Sequence, residues 1–380
     1  MKEECVLKDT SMKILFVCRK FHDVAGGVEK MAISLMNEMT NRGFEIHLIT
    51  WDEAFAKAYY PMDDRICWYK LDTGDATQKA SWLTRLKRQL LLRRAVKSIR
   101  PDCVIAFQHG PFLTIALSIL GLQIPTIAAE RNAPERFDHL RSGKIRSLIF
   151  QSFRLAKVIT VQFDEYRSGY PNYLNNRIIS IPNPVNVSCE KANPIIANNG
   201  YYYILTVGRL SYQKNVHSLI DAFSKVVPHH PNWKLKIVGD GEDKAELTRV
   251  AFELGVGEQV EFVGTVKNVV SLYSTSHLFV LSSRWEGFPN ALAEALSCGL
   301  PCIGFSECAG VNRLIIDGKN GILALGNGDV ESLAKALDTL MDDHVSRKSM
   351  GEQAVYTMQK YSPDKVYELW EKTFHQVARK

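Results

Sequence analysis

The sequence of 380 residues lacks several features that would set it apart from ordinary globular proteins. It has no low-complexity tract, and its longest apolar stretch, GPFLTIALSILGLQIP, falls short of the ~20 residues that a membrane-spanning helix needs. The N-terminal stretch MKEECVLKDTSMK is polar and contains three acidic residues, which argues against a signal peptide. These absences predict a globular protein of two domains that, if it meets a membrane, lies on the membrane surface.

The cysteines show neither a disulfide framework nor a metal-binding pattern. Of the eight cysteines, Cys298, Cys302 and Cys308 cluster, but no histidine or fourth cysteine has ligand spacing beside them. Such a set is not typical of a zinc site. Cys18, in KILFVC, has the surroundings of a small buried hydrophobic residue. We therefore expect reduced thiols and a cytoplasmic protein.

Charge is unevenly distributed between the two halves of the chain. Residues 1–184 contain 27 basic and 19 acidic side chains, whereas the remainder contains 20 and 22. The net charge of +6 is therefore concentrated in the first half. This asymmetry predicts that the first half meets an anionic partner and that the second half need not.

Short apolar runs alternate with helical patterns along the whole chain. MKILFVC, FEIHLIT, DCVIAF, PTIAAE and KVITVQ have the continuous apolar character of buried strands, and the alternation restarts at YYYILTVGRL after the Pro- and Asn-rich segment 181–200. This pattern predicts an α/β protein with two doubly wound parallel sheets joined by one linker. In such folds ligands bind at the carboxyl ends of the strands, here in a cleft between the two domains.

The stretch RWEGFPNALAEALSCG carries the first candidate site. A strand ends before it, and Pro289 suits the first position of the helix that follows. The backbone N–H groups of Asn290, Ala291 and Leu292 then form an anion site. Glu286 ahead of this site and Glu294 within the helix are placed to bind hydroxyl groups, as in a sugar nucleotide. The alternative is that both glutamates only favour the helix dipole or face solvent.

Two further strand-to-helix junctions add candidate residues. In VGRLSYQKN, Arg209 follows a strand directly and Lys214 follows after a short loop, so that both are able to neutralise a diphosphate leaving group unless they are plain surface charges. In HDVAGGVEK, Gly26 and Gly27 allow a ligand to approach the backbone closely before a helix begins.

These motifs together resemble a known family. The order GGVEK, VGRL…QKN, VGDGE, FVGTV and EGFPNALAEAL is similar to that of glycosyltransferase family 4, whose members are retaining enzymes with the GT-B fold, two Rossmann-like domains facing a central cleft. The resemblance covers essentially the whole chain. It implies an acceptor-binding, membrane-facing domain at 1–185, with the C-terminal helix at 361–380 packing back on it. A nucleotide-sugar-binding domain then spans 186–360.

The resemblance also assigns roles to single residues. It implies that Glu286 holds hydroxyl groups of the donor sugar, that Glu294 holds the ribose, and that Arg209 and Lys214 hold the diphosphate. The remaining donor contacts expected from it are Gly26, Gly27, Phe288, Asn290, Ala291, Leu292, Val263 and Val266. His109, in AFQHG, stands where many members have a histidine that contacts the sugar or the acceptor, although a histidine beside a glycine is as often structural.

The chemistry expected from the resemblance needs neither a metal ion nor another cofactor. No Asp-x-Asp pair follows a strand into the cleft, and DGED at 240–243 has the character of a turn. No side chain stands out as a nucleophile or base. We therefore expect retention through attack on the same face as the leaving diphosphate, with a β-phosphate oxygen taking the acceptor proton.

One predicted helix is strongly basic. The segment 79–100 contains eight cations and no acidic residue, with Arg93, Lys97 and Arg100 on one face and Trp82, Leu83, Leu86 and Leu90 as an apolar stripe. This composition is typical of a helix that lies on an anionic membrane surface. A merely solvated face is the alternative, and recognised nucleic-acid-binding modules are missing.

The same helix resembles that of members that extend polyprenyl-diphosphate-linked oligosaccharides. AAERNAPE and IPNPVN support this likeness and place Glu130 and Arg131 at the acceptor, although that branch often has histidine in place of Arg131. The resemblance implies a UDP-linked N-acetylhexosamine as donor and a lipid-linked glycan as acceptor, at the cytoplasmic face of the inner membrane. Two alternatives stay open: a lipopolysaccharide-core acceptor with another hexose donor, and a non-catalytic partner that binds nucleotide sugar.

Overall fold

The computed structural model describes residues 11–24, 26–74, 81–139, 141–186, 190–266 and 268–378. It divides into two compact units. The first unit consists of Met1–Arg131, Arg141–Ile181 and Val366–Lys380, and the second consists of Asn132–Leu140 and Pro182–Lys365.

Thirteen strands are formed by the described residues. In chain order they are β1 (Lys13–Val17), β2 (Glu45–Thr50), β3 (Cys67–Lys70), β4 (Cys103–Phe107), β5 (Thr126–Ala129), β6 (Val158–Val161), β7 (Ile178–Ser180), β8 (Tyr202–Val207), β9 (Trp233–Val238), β10 (Val260–Gly264), β11 (Leu278–Leu281), β12 (Cys302–Phe305) and β13 (Gly321–Ala324).

The described α-helices connect these strands. They are α1 (Gly27–Asn41), α2 (Trp82–Ile99), α3 (His109–Ser118), α4 (Arg136–His139), α5 (Arg146–Ser152), α6 (Val216–Val226), α7 (Lys244–Glu253), α8 (Val270–Ser274), α9 (Asn290–Ser297), α10 (Val311–Leu314), α11 (Val330–Asp342), α12 (His344–Met358) and α13 (Pro363–Ala378).

Both sheets are parallel and doubly wound. The first has the order β3-β2-β1-β4-β5-β6-β7 and the second the order β10-β9-β8-β11-β12-β13. In each case the order reverses beside the first strand, and ligands of such sheets bind beyond the carboxyl ends of the strands at this point. In the second sheet the reversal lies between β8 and β11. The segments 208–215 and 282–289, which carry Arg209, Lys214, Glu286 and Phe288, directly follow these two strands.

The core of the first unit includes the last helix of the chain. Trp370, Phe374 and Val377 of α13 are fully buried in the same cluster as Phe16 and the apolar face of α1. Phe374 meets Phe16 edge-on at 6.2 Å between ring centroids. Arg42 at the end of α1 bonds Glu371 at 2.7 Å. Helix α13 therefore belongs structurally to the first unit although it lies at the end of the sequence.

The expectation of reduced thiols is wrong at one position. Cys298 is disulfide-bonded. The other described cysteines, Cys18, Cys67, Cys103, Cys302 and Cys308, are free. Sequence spacing alone does not show which cysteines meet in a fold, so the cysteine pattern did not predict this bond.

Candidate active site

A buried ion pair joins the two segments at the switch point of the second sheet. Lys214 Nζ lies 2.6 Å from Glu286 Oε1, and the two side chains are only 20% and 8% exposed. The same oxygen accepts a hydrogen bond of 2.7 Å from the Ser283 hydroxyl. A charge-assisted pair with a second donor holds the carboxylate in one position. The predicted sugar-binding glutamate and one of the predicted cations are therefore in direct contact.

Hydrogen bonds to backbone carbonyls connect the segments that carry this pair. The Gln213 side-chain amide donates to the carbonyl of Trp285 at 2.8 Å, and the backbone N–H of Arg284 donates to the carbonyl of Gln213 at 2.8 Å. The Ser282 hydroxyl donates to the carbonyl of Lys214 at 3.1 Å. Because these contacts are local to the two segments, the Lys214–Glu286 geometry is set before any ligand arrives.

Arg209 lies away from this pair. Its guanidinium approaches Glu242 at 3.0 Å, and the side chains are 74% and 56% exposed. Exposed ion pairs contribute about 0–1 kcal/mol to stability, so a bound anion of higher charge is able to displace the Glu242 carboxylate. Arg209 and Lys214, predicted to act together, thus follow the same strand but have different partners in the ligand-free chain.

Glycines bring the backbone segments at this edge unusually close together. A Cβ atom at Gly239 would lie 1.9 Å from the carbonyl oxygen of Gly208, and one at Gly241 would lie 2.1 Å from that of Leu210. A Cβ at Gly208 would meet Cε of Lys214 at 3.0 Å. The glycines of VGRL and VGDG therefore permit the packing that aims Lys214 at Glu286.

Helix α9 begins beside Glu286. It starts at Asn290, so that Pro289 is the N-cap residue and not the first helical residue expected from the sequence. The first intrahelical hydrogen bond found runs from the N–H of Ala293 to the carbonyl of Pro289. The N–H groups of Asn290, Ala291 and Leu292 therefore precede it, as the anion-site interpretation requires.

Three of the predicted donor contacts have buried or bonded side chains. The Phe288 ring is 6% exposed and meets Tyr361 edge-on at 5.5 Å. Leu292 is fully buried. Asn290 Oδ1 accepts a hydrogen bond of 2.9 Å from Asn183. Any contact of this turn with a ligand is consequently made through the backbone.

Glu294 is oriented by a buried tyrosine. The Tyr273 hydroxyl donates to Glu294 Oε2 at 3.1 Å, and Tyr273 is 1% exposed. Burial, followed by the negative charge of Glu294, raises the pKa of Tyr273 well above its usual value. Tyr273 is therefore a permanent donor that fixes one carboxylate oxygen, and the sequence analysis did not identify it. Val263 and Val266 are half-buried at the carboxyl end of β10.

The thiol of Cys308, near the ion pair, is not a nucleophile. Cys308 is buried, and burial, followed by the Glu286 carboxylate, raises the pKa of its thiol well above the usual value. Thiols react as thiolates, so Cys308 stays unreactive at neutral pH.

The remaining predicted donor residues lie at the carboxyl edge of the first sheet. Gly26 precedes α1 as its N-cap, and a Cβ there would lie 2.0 Å from Glu29 Oε2. Burial raises the pKa of this glutamate. His109 begins α3, where its Nε2–H donates to the Ser152 hydroxyl at 2.9 Å. That hydroxyl in turn donates to the Ile149 carbonyl at 2.6 Å, which identifies the histidine nitrogen as the donor.

The pair expected at the acceptor is buried. Glu130 and Arg131 are 2% and 5% exposed. Arg131 donates to the Thr160 hydroxyl at 2.8 Å and lies over the Trp370 ring at 5.4 Å. Burial lowers the pKa of Arg131 to about 10. These contacts give Arg131 a packing role within the first unit, and its burial does not support direct contact with an acceptor.

The basic helix divides into cations with and without protein partners. Arg93 donates to the carbonyls of Ser118 and Leu120, both at 2.9 Å, at the end of α3. Lys97 and Arg100 have no side-chain partner among the described residues. Lys79 lies outside these residues. Arg93 is therefore bonded within the protein, unlike Lys97 and Arg100.

The apolar stripe of α2 is exposed. Trp82, Leu83, Leu86 and Leu90 are between 47% and 73% exposed, whereas Leu92 and Val96 are fully buried. Helix α2 thus packs Leu92 and Val96 into the core and exposes a separate apolar stripe to solvent. No α-helix in the described part of the chain is both long and apolar enough to cross a bilayer.

A histidine with two aspartates forms the one potential metal-ligand group found among the described residues. His230 Nε2 lies 2.8 Å from Asp338 and Nδ1 lies 3.6 Å from Asp342. His230 precedes β9, at the amino edge of the second sheet. The cluster therefore lies at the opposite edge from the Lys214–Glu286 pair. The two ring nitrogens face different carboxylates, an arrangement that suits a histidine bridge between acids.

Comparison with known proteins accounts for nearly the whole chain. Residues 25–188 match the model of Glycosyltransferase Family 4, and residues 190–355 match the model of Glycosyl transferases group 1. An uncharacterized glycosyltransferase of Haemophilus influenzae is 27% identical over 348 residues, which is 91% of this chain and 95% of the relative.

A second relative has a defined activity. An alpha-1,4-N-acetyl-D-galactosaminyltransferase of Campylobacter jejuni, named for a GalNAc- and diNAcBac-containing PP-undecaprenol acceptor, is 25% identical over 371 residues. The alignment covers 96% of this chain and 99% of the relative. Among solved structures, Anabaena HepE in complex with UDP and glucose has a TM-score of 0.78 at 18% identity, over 96% of this chain and 99% of that chain. This last likeness concerns the fold.

The two adjoining family models, the two parallel sheets and the relatives agree on one assignment. The chain belongs to glycosyltransferase family 4 and is a glycosyltransferase with the GT-B fold.

Proposed function

We propose that this glycosyltransferase transfers an N-acetylhexosamine from a UDP-sugar to a polyprenyl-diphosphate-linked glycan in surface polysaccharide synthesis, with retention of configuration. The observation that carries the proposal is the buried Lys214–Glu286 pair beside the start of α9. It offers a cation and backbone N–H groups for a diphosphate next to a carboxylate for sugar hydroxyls. The activity named for the Campylobacter jejuni relative supports the sugar and the acceptor class.

The proposed donor site assigns one contact to each part of the nucleotide sugar. Lys214 and the N–H groups at the start of α9 hold the diphosphate, and Arg209 joins them after leaving Glu242. Glu286 accepts hydrogen bonds from hydroxyls of the sugar. Glu294, fixed by Tyr273, accepts from the ribose. These groups act without a metal ion in the proposal, because two cations and a helix terminus neutralise the diphosphate.

The proposed reaction is a single displacement on one face of the sugar. The acceptor hydroxyl oxygen forms a bond to the anomeric carbon, while the bond from that carbon to the β-phosphate oxygen breaks. The acceptor proton passes to an oxygen of the departing diphosphate. Lys214 stabilises the negative charge that develops on that group. The unreactive thiol of Cys308 supports a route without a covalent enzyme intermediate.

A lipid-linked acceptor requires attachment to a membrane surface, for which α2 has suitable groups. Four apolar side chains in its first half are exposed, and Lys97 and Arg100 follow at its end without a side-chain partner in the described part of the chain. Exposed apolar residues together with cations are typical of helices that lie in the interface of an anionic bilayer. We therefore include a peripheral position on the cytoplasmic face of the inner membrane in the proposal.

Slow donor hydrolysis without an acceptor tests the proposed donor. A panel of UDP- and GDP-linked hexoses and N-acetylhexosamines is incubated with the purified protein, and release of the nucleoside diphosphate is measured. We expect UDP release to be fastest with UDP-GalNAc or UDP-GlcNAc. Hydrolysis confined to a UDP-hexose would contradict the N-acetylhexosamine and favour a lipopolysaccharide-core type of reaction. Tight binding without any turnover, with membranes present, would contradict catalysis.

The role of α2 is tested by liposome binding. The variant Trp82→Ser/Lys97→Ser/Arg100→Ser should bind vesicles containing phosphatidylglycerol at least about 30-fold more weakly, because each cation near such a surface contributes ~1 kcal/mol. Cosedimentation measures the binding. Phe252→Ser is the matched control, since Phe252 is 81% exposed but lies on α7 in the second unit. Equal binding of both variants would exclude α2 as the attachment site.

A further inference from the structure

Aromatic residues are concentrated in a segment to which the proposed donor site gives no role. Residues 51–70 contain six aromatic side chains, whereas aromatic residues make up 10% of the whole sequence. The six are Trp51, Phe55, Tyr59, Tyr60, Trp68 and Tyr69. Phe55 is 67% exposed and Tyr59 48% exposed. The hydrophobic core therefore does not account for all of them.

Several of these residues line a groove in the first unit. The groove has a volume of about 440 Å³ and is lined by residues 56–62 together with Trp68 and Lys70. Trp68 Nε1 donates to the hydroxyl of Thr50, the last residue of β2, at 2.9 Å. Lys70 is the last residue of the edge strand β3. The aromatic groove, as we name this site, thus lies toward the carboxyl ends of β2 and β3.

Contacts with neighbouring residues fix the walls of the aromatic groove, and these contacts do not involve the exposed rings of Phe55 and Tyr59. Phe21 meets Trp68 edge-on at 6.4 Å, and Lys70 Nζ lies 4.6 Å from the Trp68 ring centroid and 3.1 Å from the Ala54 carbonyl. The Asn37 amide of α1 donates to the Pro61 carbonyl at 3.0 Å. The groove is therefore a formed part of the fold, on which the Tyr59 ring is presented to solvent.

The lining has the chemistry of a saccharide site. Aromatic faces are negative at the ring centre and attract the weakly positive C–H groups of a pyranose face, while tyrosine hydroxyls bond sugar hydroxyls. Lys57 and Lys70 are in the lining, which contains no aspartate or glutamate. The volume is in the range of small-molecule sites, and a protein partner would need a contact area of about 800 Å² on each side. An acidic sugar fits these features best.

We propose that the aromatic groove binds an acidic saccharide unit of the acceptor glycan, with the sugar stacked on Tyr59 and its carboxylate or phosphate near Lys57. This inference rests on the proposed function, since it concerns the acceptor of the same enzyme. It predicts a contact with the acceptor glycan away from its lipid, and it predicts that the sugar portion of the acceptor carries a negative charge.

Saturation-transfer NMR with defined oligosaccharides tests the site directly. The probes are tetragalacturonate, which is acidic, and chitotetraose, which is neutral. We expect saturable binding of tetragalacturonate, weakened about three- to tenfold by Tyr59→Ala through the lost stacking and further weakened by Lys57→Ala. Tyr69→Ala is the matched control. Tyr69 is 41% exposed and lies on β3 between Trp68 and Lys70, but it does not line the groove. It should bind like the unaltered protein.

The outcomes separate this inference from the proposed function. UDP-sugar hydrolysis is measured on the same samples. Binding that is equal in Tyr59→Ala and Tyr69→Ala, or no saturable binding of either probe, overturns the aromatic groove even when hydrolysis proceeds. Stronger binding of chitotetraose than of tetragalacturonate overturns the acidic class. Binding at the groove without any UDP-sugar turnover overturns the proposed function and leaves the glycan site standing.

Discussion

Replacing Lys214 by alanine should lower kcat/KM for donor turnover by roughly 10²–10³, the range found when one preorganised charge-stabilising donor is removed. Lys214 is the only cation shown in contact with Glu286 among the described residues, at 2.6 Å. Its removal takes a positive charge away from the leaving diphosphate of the proposed reaction. It also leaves the Glu286 carboxylate, which is 8% exposed, with the Ser283 hydroxyl in place of a cation.

Two comparisons distinguish catalysis from folding in this variant. Lys225→Ala removes a lysine from an exposed pair with Glu331, with 42% and 79% exposure, and should leave turnover unchanged. The double variant Lys214→Ala/Glu286→Gln should unfold at a higher temperature than Lys214→Ala, because a neutral amide no longer needs a cation. It should nevertheless stay inactive. Unchanged turnover in Lys214→Ala would remove the lysine from the site.

The parts of the fold that could be predicted are the strands buried on both faces. β1, β4, β6 and β11 are short apolar runs with fully buried residues, and each was recognised in the sequence. The three strands that were missed, β3, β7 and β13, are all edge strands. Their side chains alternate in exposure or occupy only three or four positions, as in CWYK and IIS. An edge strand has only one neighbour, so its sequence does not need a continuous apolar run.

At the candidate site, the positions of residues could be predicted from the sequence but their individual contacts could not. The positions of Lys214 and Glu286 followed from the strands that precede them, because parallel strands deliver their following residues to one edge. The residues that contact the candidate side chains could not be predicted in the same way. That Arg209 pairs with Glu242, that Tyr273 fixes Glu294, and that Arg131 is buried against Thr160 all depend on residues 21 to 33 positions apart. No local pattern in the sequence marks such pairs. Ser283 had a local signal, since it lies three residues before Glu286.

The glycine loop beside this site gives the largest expected effect on stability. Gly239→Ala should lower the free energy of unfolding of the second unit by about 3 kcal/mol or more, because overpacking of this severity forces the backbone apart. The added Cβ would lie 1.9 Å from the carbonyl oxygen of Gly208, an atom that no side-chain rotation moves, and Gly239 has φ of +135°. Thermal unfolding followed by circular dichroism measures the loss.

Gly255→Ala is the matched control for this variant. Gly255 also has a positive φ, +73°, but a Cβ there meets no atom within 4 Å. It should cost only the ~1–2 kcal/mol of a left-handed residue with a side chain. The difference between the two variants then measures the close approach of the 239–241 loop to the backbone of Gly208. Because Gly208 packs on the stem of Lys214, any folded fraction of Gly239→Ala should also have a displaced lysine and reduced donor turnover, whereas Gly255→Ala should keep full turnover. Equal losses of stability in both variants would mean that backbone conformation, and not the contact with Gly208, determines the need for glycine at position 239.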